Sequence, residues 1–197
     1  MKQYVASLAS VGPYFQSRSY EREVPKLPKE GHDAYENRTW VQRTHVNDDG
    51  QLIIPAEAFQ FSIRDGAAYL SEKIQGRGNE KWTKHFASGI MVPDDVVLPE
   101  RRETVDGQWL FLDANGKRGS GTRVWRKLPF VRGWAADISI VALDDMITYE
   151  ILKRVIEHAG QFVGIGQNRP QKGGRRGRYD LTELVELTIE EPQALAA

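Results

Sequence analysis

The sequence contains no cysteine, few histidines and no long apolar run, and each absence excludes a class of function. Without cysteine there can be no disulfides, thiolate metal sites or cysteine nucleophiles. Four scattered histidines make poor zinc ligands. No stretch approaches the roughly 20 apolar residues of a membrane-spanning helix, and the N-terminus lacks an apolar run with a small-residue cleavage site. We therefore expect a soluble, cytoplasmic protein that binds no membrane and needs no metal or other cofactor.

The chain also lacks a net charge, because 27 basic residues balance 27 acidic ones. No field from the whole molecule can draw it to a polyanion, so any such attraction must be local. A chain of 197 residues, 40% of them hydrophobic, is long enough to bury one sizeable core. We expect a single domain over residues 1–191, followed by a flexible tail at 192–197.

Hydrophobic periodicity predicts the regular elements. In chain order these are a strand at 4–9, a hairpin formed by 38–45 and 51–54 around the turn at 47–50, a helix after Pro55, a strand at 135–143, a helix at 146–159 and a strand at 179–189. The strand and helix patterns form two strand–helix–strand units. They fit an α+β fold of ferredoxin-like type, in which helices cover one face of an antiparallel sheet and leave the other face free.

Two stretches interrupt this core. Residues 16–37 are polar and punctuated by prolines, which predicts an exposed arm or loop. Residues 75–121 have few regular signals, which predicts an insertion with short strands. Function is more often carried by such segments than by the core that supports them.

Basic residues are concentrated in two windows that contain no acid, 117–132 and 164–179. These windows hold 11 of the 27 basic residues, so a neutral protein can still carry one strongly positive surface. Acids concentrate instead at 137–150 and 180–191. A single basic run is usually just solvated, but two acid-free runs are typical of a polyanion-binding surface.

The second window, GIGQNRPQKGGRRGRY, combines charge with glycine. Glycine lets backbone amides approach phosphate oxygens, and arginine binds the same oxygens in a bidentate manner. The glycines expected to shape this loop are Gly164, Gly166, Gly173, Gly174 and Gly177. The order GxxxxGK[ST] is absent and the segment follows a helix, so neither a Walker loop nor a dinucleotide-binding turn is indicated. We predict a loop that holds the phosphate backbone of a nucleic acid.

Aromatic residues next to basic ones supply the second half of a single-strand site, because bases stack on exposed rings at roughly 1–3 kcal/mol each. A core position explains any one tryptophan equally well. Phe59 and Phe61 cannot share one helix face, so one of them is a candidate for exposure. From the two windows and the basic–aromatic pairs, the candidate nucleic-acid-binding residues are Arg38, Trp40, Arg43, Lys81, Trp82, Lys84, Arg123, Trp125, Arg126, Lys127, Arg169, Lys172, Arg175, Arg176, Arg178 and Tyr179.

Two stretches resemble the RAMP superfamily, and within it the backbone subunits that coat the guide RNA in CRISPR effector complexes. GQLIIPAEAFQFSIRDGAAYL is similar to the family's short strand, Ile-Pro turn and arginine-containing helix, with Pro55, Arg64 and Leu70 matching. FVGIGQNRPQKGGRRGRYDL is similar to the glycine-rich loop near the family's C-terminus. The serine and lysine that usually follow the turn proline are replaced in AEAFQ, residues 56–60.

The resemblance implies a ferredoxin-like core like that of an RNA-recognition motif, with a protruding arm or thumb. It also implies head-to-tail assembly of a homo-oligomer along a single strand of RNA or DNA, and it adds Arg64 to the candidate contacts. The short chain looks more like a divergent, free-standing or virus-borne relative than a standard effector subunit. Head-to-tail packing is open, so it yields filaments unless curvature closes them.

Some members of the family are endoribonucleases, so acid–base groups are alternatives. Cleavage through the 2′-hydroxyl needs a base and an acid at the scissile phosphate. The candidates are Asp33, His32, Tyr35, His45 and His85. Polar loop residues are more often solvated than catalytic, so we prefer a binder with no catalytic residue. A third hypothesis is a mimic of a backbone subunit that blocks or caps another assembly.

Overall fold

The computed structural model describes residues 1–114, 119 and 121–187, and strands are interspersed with helices along these residues. The strands are β1 (Lys2–Ser10), β2 (Tyr14–Phe15), β3 (Gln51–Ile54), β4 (Ile90–Met91), β5 (Val96–Arg101), β6 (Asp106–Asp113), β7 (Arg123–Val131), β8 (Ala135–Ala142) and β9 (Tyr179–Leu187). The α-helices are α1 (His32–Thr39), α2 (Ala56–Leu70), α3 (Thr83–Ser88) and α4 (Tyr149–His158). Shorter turns are 3-10 at Trp40–Arg43 and Pro170–Lys172, and π at Ala159–Val163.

The central sheet has four antiparallel strands in the order β4-β8-β1-β9. Alternation along β1 buries Tyr4, Ala6 and Leu8 on one face, as the sequence predicted. In chain order, β1, α2, β4, β8, α4 and β9 form strand–helix–strand units whose strands interleave in one sheet. The predicted α+β, ferredoxin-like fold class with an antiparallel sheet is therefore confirmed.

Helices α2 and α4 cover the buried face of this sheet. Phe59, Ile63 and Ala67 recur at helical spacing on α2 and are all buried. Each large apolar side chain buried in this way contributes roughly 1.5–3 kcal/mol. A Cβ at Gly66 would lie 2.6 Å from the Cβ of Ala159, so glycine is needed where α2 crosses the π turn after α4. The close crossing sets where the segment after α4 begins.

Two excursions leave the sheet and pack on each other. The first, 11–55, contains β2, α1 and β3, and the second, 92–134, contains β5 and the antiparallel hairpin of β6 and β7. β2 pairs with β7, and β3 pairs with β5. The second excursion begins and ends later than the insertion predicted at 75–121. The predicted tail at 192–197 lies outside the described residues.

The first excursion differs from its prediction. Residues 16–37 do not form a wholly exposed arm, because Tyr20 and Tyr35 are buried in it. Helical structure replaces the predicted strand at 38–45, and only a single bridge, Val46 to Leu52, flanks the turn at 47–50. The reason is tertiary packing: a hydrogen bond of 2.7 Å between the hydroxyls of Tyr20 and Thr39 helps to hold the helical segment in place.

No helix within the described ranges is both long and apolar enough to cross a membrane.

Candidate nucleic-acid interface

The glycine-rich loop, residues 164–178, joins the π turn after α4 to β9, and all five predicted glycines lie in it. Gly177 has a φ of +69°, and a Cβ there would overlap the carbonyl oxygen of Ile165. Glycine at this position is therefore needed for the fold of the loop itself. The sequence had suggested only that glycine lets phosphates approach the backbone.

Backbone hydrogen bonds tie the loop to the strand β2. The amides of Gly177 and Gln167 donate to the carbonyls of Pro13 and Phe15 at 3.1 and 2.9 Å. The amide of Ile165 donates to the carbonyl of Gly177 at 2.9 Å and closes the loop on itself. The basic side chains therefore project from a backbone that is held in one conformation.

The basic residues of this loop have no carboxylate partner among the described residues. They are Arg169, Lys172, Arg175, Arg176 and Arg178. Arg178 donates instead to the carbonyls of Gln161 and Arg175, at 3.0 and 3.3 Å. Several arginines elsewhere are paired with carboxylates, as in Arg154 with Glu72 at 2.8 Å. The loop is therefore a local concentration of uncompensated positive charge, which attracts anions.

The hairpin of β6 and β7 carries an exposed aromatic face. Phe111 and Trp125 are paired in register, and their ring centroids lie 5.2 Å apart. The rings are 43% and 51% exposed. The guanidinium of Arg123 lies 4.7 Å over Phe111, and Trp109 lies on the same side of β6 two residues earlier. Exposed rings of this kind are platforms on which bases can stack.

The glycine-rich loop and the hairpin enclose a cleft of about 640 Å³, here called the stacking cleft. Its lining residues are Leu110, Phe111, Leu112, Asp113 and Arg123 from the hairpin, and Gln167, Asn168, Gln171, Lys172 and Gly173 from the loop. Two smaller clefts, of about 310 and 290 Å³, are also lined by Gln167. The three clefts therefore adjoin at this residue and outline one path across the surface.

The helix α2 borders this path with a second aromatic and cationic pair. Phe61 is 48% exposed, whereas Phe59 is fully buried, so one of the two rings is exposed as expected. The guanidinium of Arg64 lies 4.8 Å over Phe61 and is paired with Asp65 at 2.8 Å. Asp65 also accepts a hydrogen bond of 2.7 Å from Gln171, which links α2 to the loop.

The two basic windows meet only in part. Arg123 reaches the stacking cleft, but Arg126 and Lys127 point toward the first excursion. Arg126 lies 3.9 Å from Glu36, and the ammonium of Lys127 lies 4.6 Å over the ring of Trp40. These contacts attach the hairpin to the region of α1. The predicted turn residues Lys117 and Arg118 lie outside the described residues.

Two predicted contact residues are buried, and their assignment is corrected. Tyr179 is 1% exposed, and its hydroxyl lies 3.0 Å from the hydroxyl of Ser62. Burial raises the pKa of Tyr179, and its ring packs against Phe59. It cannot stack on a base. The side chain of Arg43 is 3% exposed and pairs with buried Glu36 at 2.8 Å, so it cannot reach a phosphate.

Other predicted residues lie away from the stacking cleft. Arg38 makes two hydrogen bonds of 2.8 Å to the carboxylate of Glu30. The ammonium of Lys81 donates to Ser71 at the end of α2. Trp82 packs partly against the core and Lys84 is exposed in α3. None of these residues lines the clefts that meet at Gln167.

The candidate acid–base groups are dispersed. Asp33 is exposed at the start of α1, and the Nε2 atom of His32 lies 2.7 Å from the carbonyl of Trp125. His85 lies 2.6 Å from Asp144, whose pKa is lowered by that hydrogen bond. Burial lowers the pKa of His45. Within the described part of the chain, no three His, Asp or Glu residues are grouped to hold a metal ion.

Sequence reasoning missed Trp109, Phe111 and Gln167. The alternation in QWLFL contained the signal for the first two, because residues two apart in a strand share a face. Sequence reasoning also expected one face of the central sheet to be uncovered. On that face Ser139, Glu183 and Val185 are exposed. The described residues of that face include no aromatic ring, so it cannot provide a stacking surface of the RNA-recognition-motif kind.

No family model matches this chain, and no curated protein does. Solved structures are similar to it. The Type III-B Cmr-beta bound to cognate target RNA shares 10% identity at a TM-score of 0.49, over 94% of this chain and 60% of that chain. Cmr6 from Pyrococcus furiosus shares 12% identity at a TM-score of 0.44, over 92% of this chain and 98% of that chain. A CRISPR protein from Archaeoglobus fulgidus shares 12% identity at a TM-score of 0.38, over 95% of this chain and 65% of that chain.

This chain thus spans 60% of the length of the Cmr-beta chain and 65% of the length of the Archaeoglobus fulgidus chain. At 10% to 12% identity the likeness is one of fold.

Proposed function

We propose that this protein binds single-stranded RNA or DNA in the stacking cleft and does not cleave it. The observation that carries the proposal is the pairing of two surfaces across one cleft. Lys172 of the glycine-rich loop, which has no carboxylate partner among the described residues, lines one wall, and the exposed ring of Phe111, which is paired with Trp125, lines the other. Phosphates would bind to the loop while bases stack on the hairpin.

A single strand suits this arrangement better than a duplex. In a duplex the base faces are stacked on one another, so exposed rings such as Phe111 and Trp125 have nothing to contact. The carboxamides of Gln167 and Asn168 line the cleft and can contact base edges or sugar hydroxyls. The ligand remains single-stranded nucleic acid of either sugar, because no described contact distinguishes the 2′-hydroxyl.

The experiment is a binding titration of a fluorescent oligonucleotide over a range of salt concentrations. If five phosphates contact the loop, affinity should fall roughly 100-fold between 50 and 200 mM salt. Changing Lys172, Arg175 and Arg178 together to Gln should reduce the slope of log K against log salt by about 2. Arg176 is left intact because its ring contact supports the fold.

A matched control removes the same charge elsewhere. Arg22, Lys29 and Lys73 are exposed and lie outside both the glycine-rich loop and the clefts described above. Changing these three to Gln should leave the salt slope within a few tenths of the wild-type value. Equal losses in the two triple variants would mean that binding depends on overall charge rather than on the loop.

We further propose that copies assemble head-to-tail along the strand. The resemblance in sequence supports this assembly, and so do apolar side chains left exposed at the open sheet face, Met91, Val185 and Leu187. Electron microscopy with and without an oligonucleotide tests it: filaments or rings only with the oligonucleotide are expected. Monomers in both samples would contradict the assembly while leaving strand binding intact.

The same samples separate the two alternative functions. Incubation with end-labelled RNA should return intact RNA, since Asp113 is the one carboxylate and no histidine is found among the described residues that line the stacking cleft. A product that disappears in Asp33→Ala would instead favour an endoribonuclease. Tight binding to another protein with no affinity for any strand would favour a mimic that blocks an assembly.

A further inference from the structure

A separate cleft lies at the base of the hairpin, here called the basal cleft, with a volume of about 440 Å³. Its lining residues are Pro13, Asp106, Gly107, Gln108, Phe130, Arg132 and Arg176. It shares none of them with the stacking cleft. Gln108 and Leu110 are two residues apart on β6, so the nearest lining residues of the two clefts lie about 7 Å from each other along that strand.

Four side chains form a continuous stack in the wall of the basal cleft. The guanidinium of Arg176 lies 4.3 Å over the ring of Phe15. The rings of Phe15 and Phe130 are stacked at 5.0 Å with an angle of 12° between them. The guanidinium of Arg132 lies 5.3 Å over Phe130 at the other end. Phe15 is fully buried, so the stack is anchored in the interior of the protein.

Arg176 differs from its neighbours in the glycine-rich loop because it has a buried hydrogen-bond donor without a partner. Its Nε atom is buried without a partner, and none of the described residues accepts a hydrogen bond from its side chain. Burial and the adjacent charge of Arg175 lower the pKa of Arg176. Arg169 and Arg178, by contrast, donate to Gln171 and Gln161. An anion would supply the acceptors that Arg176 lacks.

We propose that Arg176 and Arg132 form a phosphate-binding site in the basal cleft. A planar guanidinium held against a ring presents its donors in a fixed fork, which matches the oxygens of a phosphate. Arg132 stands two rings away from Arg176 and is paired with Asp106 at 2.8 Å, but its side chain is 79% exposed, so it can leave Phe130 and Asp106 to reach a phosphate held by Arg176. The site takes a phosphate group, either within a strand, at its end or as the free ion.

The identity of the biological ligand rests on the proposed function. In that case the phosphate belongs to the strand that occupies the stacking cleft. The site itself can be tested without nucleic acid, because inorganic phosphate presents the same oxygens. The two proposals can therefore fail separately.

The test is thermal unfolding in phosphate against chloride at matched ionic strength. At about ten times its Kd, phosphate should raise the Tm of the wild type by about 4 °C. Arg176→Met keeps an apolar stem over Phe15 and should abolish the shift. Arg175→Met removes the same charge from the next, exposed position and should keep it. An undiminished shift in Arg176→Met, or none in the wild type, would overturn the site.

Two further variants cover the case in which Arg176→Met does not fold. Arg176→Lys keeps the charge without the planar fork and should reduce the phosphate shift by more than half. Arg132→Gln removes the other guanidinium and should also reduce it. A full shift in both variants would show that neither arginine binds phosphate.

Oligonucleotide binding then separates the site from the function. If phosphate has no effect and the Met variants at 175 and 176 weaken strand binding equally, the site is wrong and the proposed function stands. If phosphate acts through Arg176 but no strand binds, the site stands and the proposed function is wrong. A gain in affinity on adding a 5′-phosphate would assign the site to a strand end, and equal affinity would assign it to an internal phosphate.

Discussion

Arginines in two regions of the molecule look alike in sequence but have different environments. Arg38 and Arg43, near α1, are bonded to the carboxylates of Glu30 and Glu36. Arg175 and Arg178, in the glycine-rich loop, have no carboxylate partner among the described residues. The difference lies in the neighbouring sequence, since acids stand seven or eight residues before the first pair and the window 164–179 has none. In these two regions the presence or absence of acids nearby in the sequence matches whether the arginines are paired.

Burial makes the contrast sharper. The side chains of Arg43 and Glu36 are 3% and 2% exposed, so each ion depends on the other for solvation. Glu36 also lies 3.9 Å from Arg126 and accepts a weak hydrogen bond from the amide of Lys127. This carboxylate joins α1, the turn that follows it and β7. In that region arginine stabilises the fold, whereas in the loop it is available for a ligand.

The largest expected effect follows from breaking the buried pair. Arg43→Met leaves Glu36 without its main partner and should lower the free energy of unfolding by about 3 kcal/mol or more. Chemical denaturation measures this loss. The double variant with Glu36→Leu should recover most of it, because both charges are then gone.

The control for that measurement is an exposed pair with the same 2.8 Å separation. Arg154 and Glu72 have side chains 54% and 34% exposed, so Arg154→Met should cost less than about 1 kcal/mol. Equal losses for the two single variants would mean that burial does not distinguish the pairs. Strand binding by the folded fraction of each variant should stay at the wild-type level.

The next effect concerns the exposed rings of the hairpin. Trp125→Ala should weaken strand binding by about 1–3 kcal/mol, and Phe111→Ala by a similar amount, while stability changes little because both rings are exposed. Fluorescence titration measures the binding and thermal unfolding the stability.

Phe162 provides the matched control for the rings. It is 45% exposed, its ring centroid lies 4.5 Å from that of His158, and it belongs neither to the hairpin nor to the lining of the described clefts. Phe162→Ala should leave strand affinity unchanged. A loss as large as that of Trp125→Ala would argue against a defined stacking surface.

Elements with strong periodicity could be predicted from the sequence. The alternation of β1 and β8, and the helical spacing of α2, are set by side chains that face one core, so local pattern and final burial agree. The segment 38–45 could not be predicted in this way. Its β-branched and aromatic residues favour a strand, but the Arg43 and Glu36 pair and the Tyr20 and Thr39 hydrogen bond stabilise helix.

The candidate site was predictable only on one side. The charges and position of the glycine-rich loop are local properties of the sequence, but its opposing wall depends on which strand pairs with β7. Phe111 reaches the cleft through that pairing, and no local pattern specifies it. Tyr179 was wrongly predicted to be exposed, because its basic neighbour suggested a contact residue. As the first residue of β9 it faces the core instead.

The smallest effect concerns the exposed pair of the α1 region. Hydrogen bonds from Arg38 lower the pKa of Glu30 to about 2. A carboxyl whose pKa is depressed by folding contributes stability above its ordinary pKa and loses it as the pH falls toward 2. In Arg38→Ala the pKa of Glu30 should return toward its ordinary value, measured by NMR titration of the side-chain carboxyl, and the acid limb of the stability profile should flatten slightly. Arg175→Ala should leave that pKa unchanged, since the loop arginine has no carboxylate to hold. A Glu30 pKa that does not move in Arg38→Ala would mean that the two regions differ less than their geometry indicates.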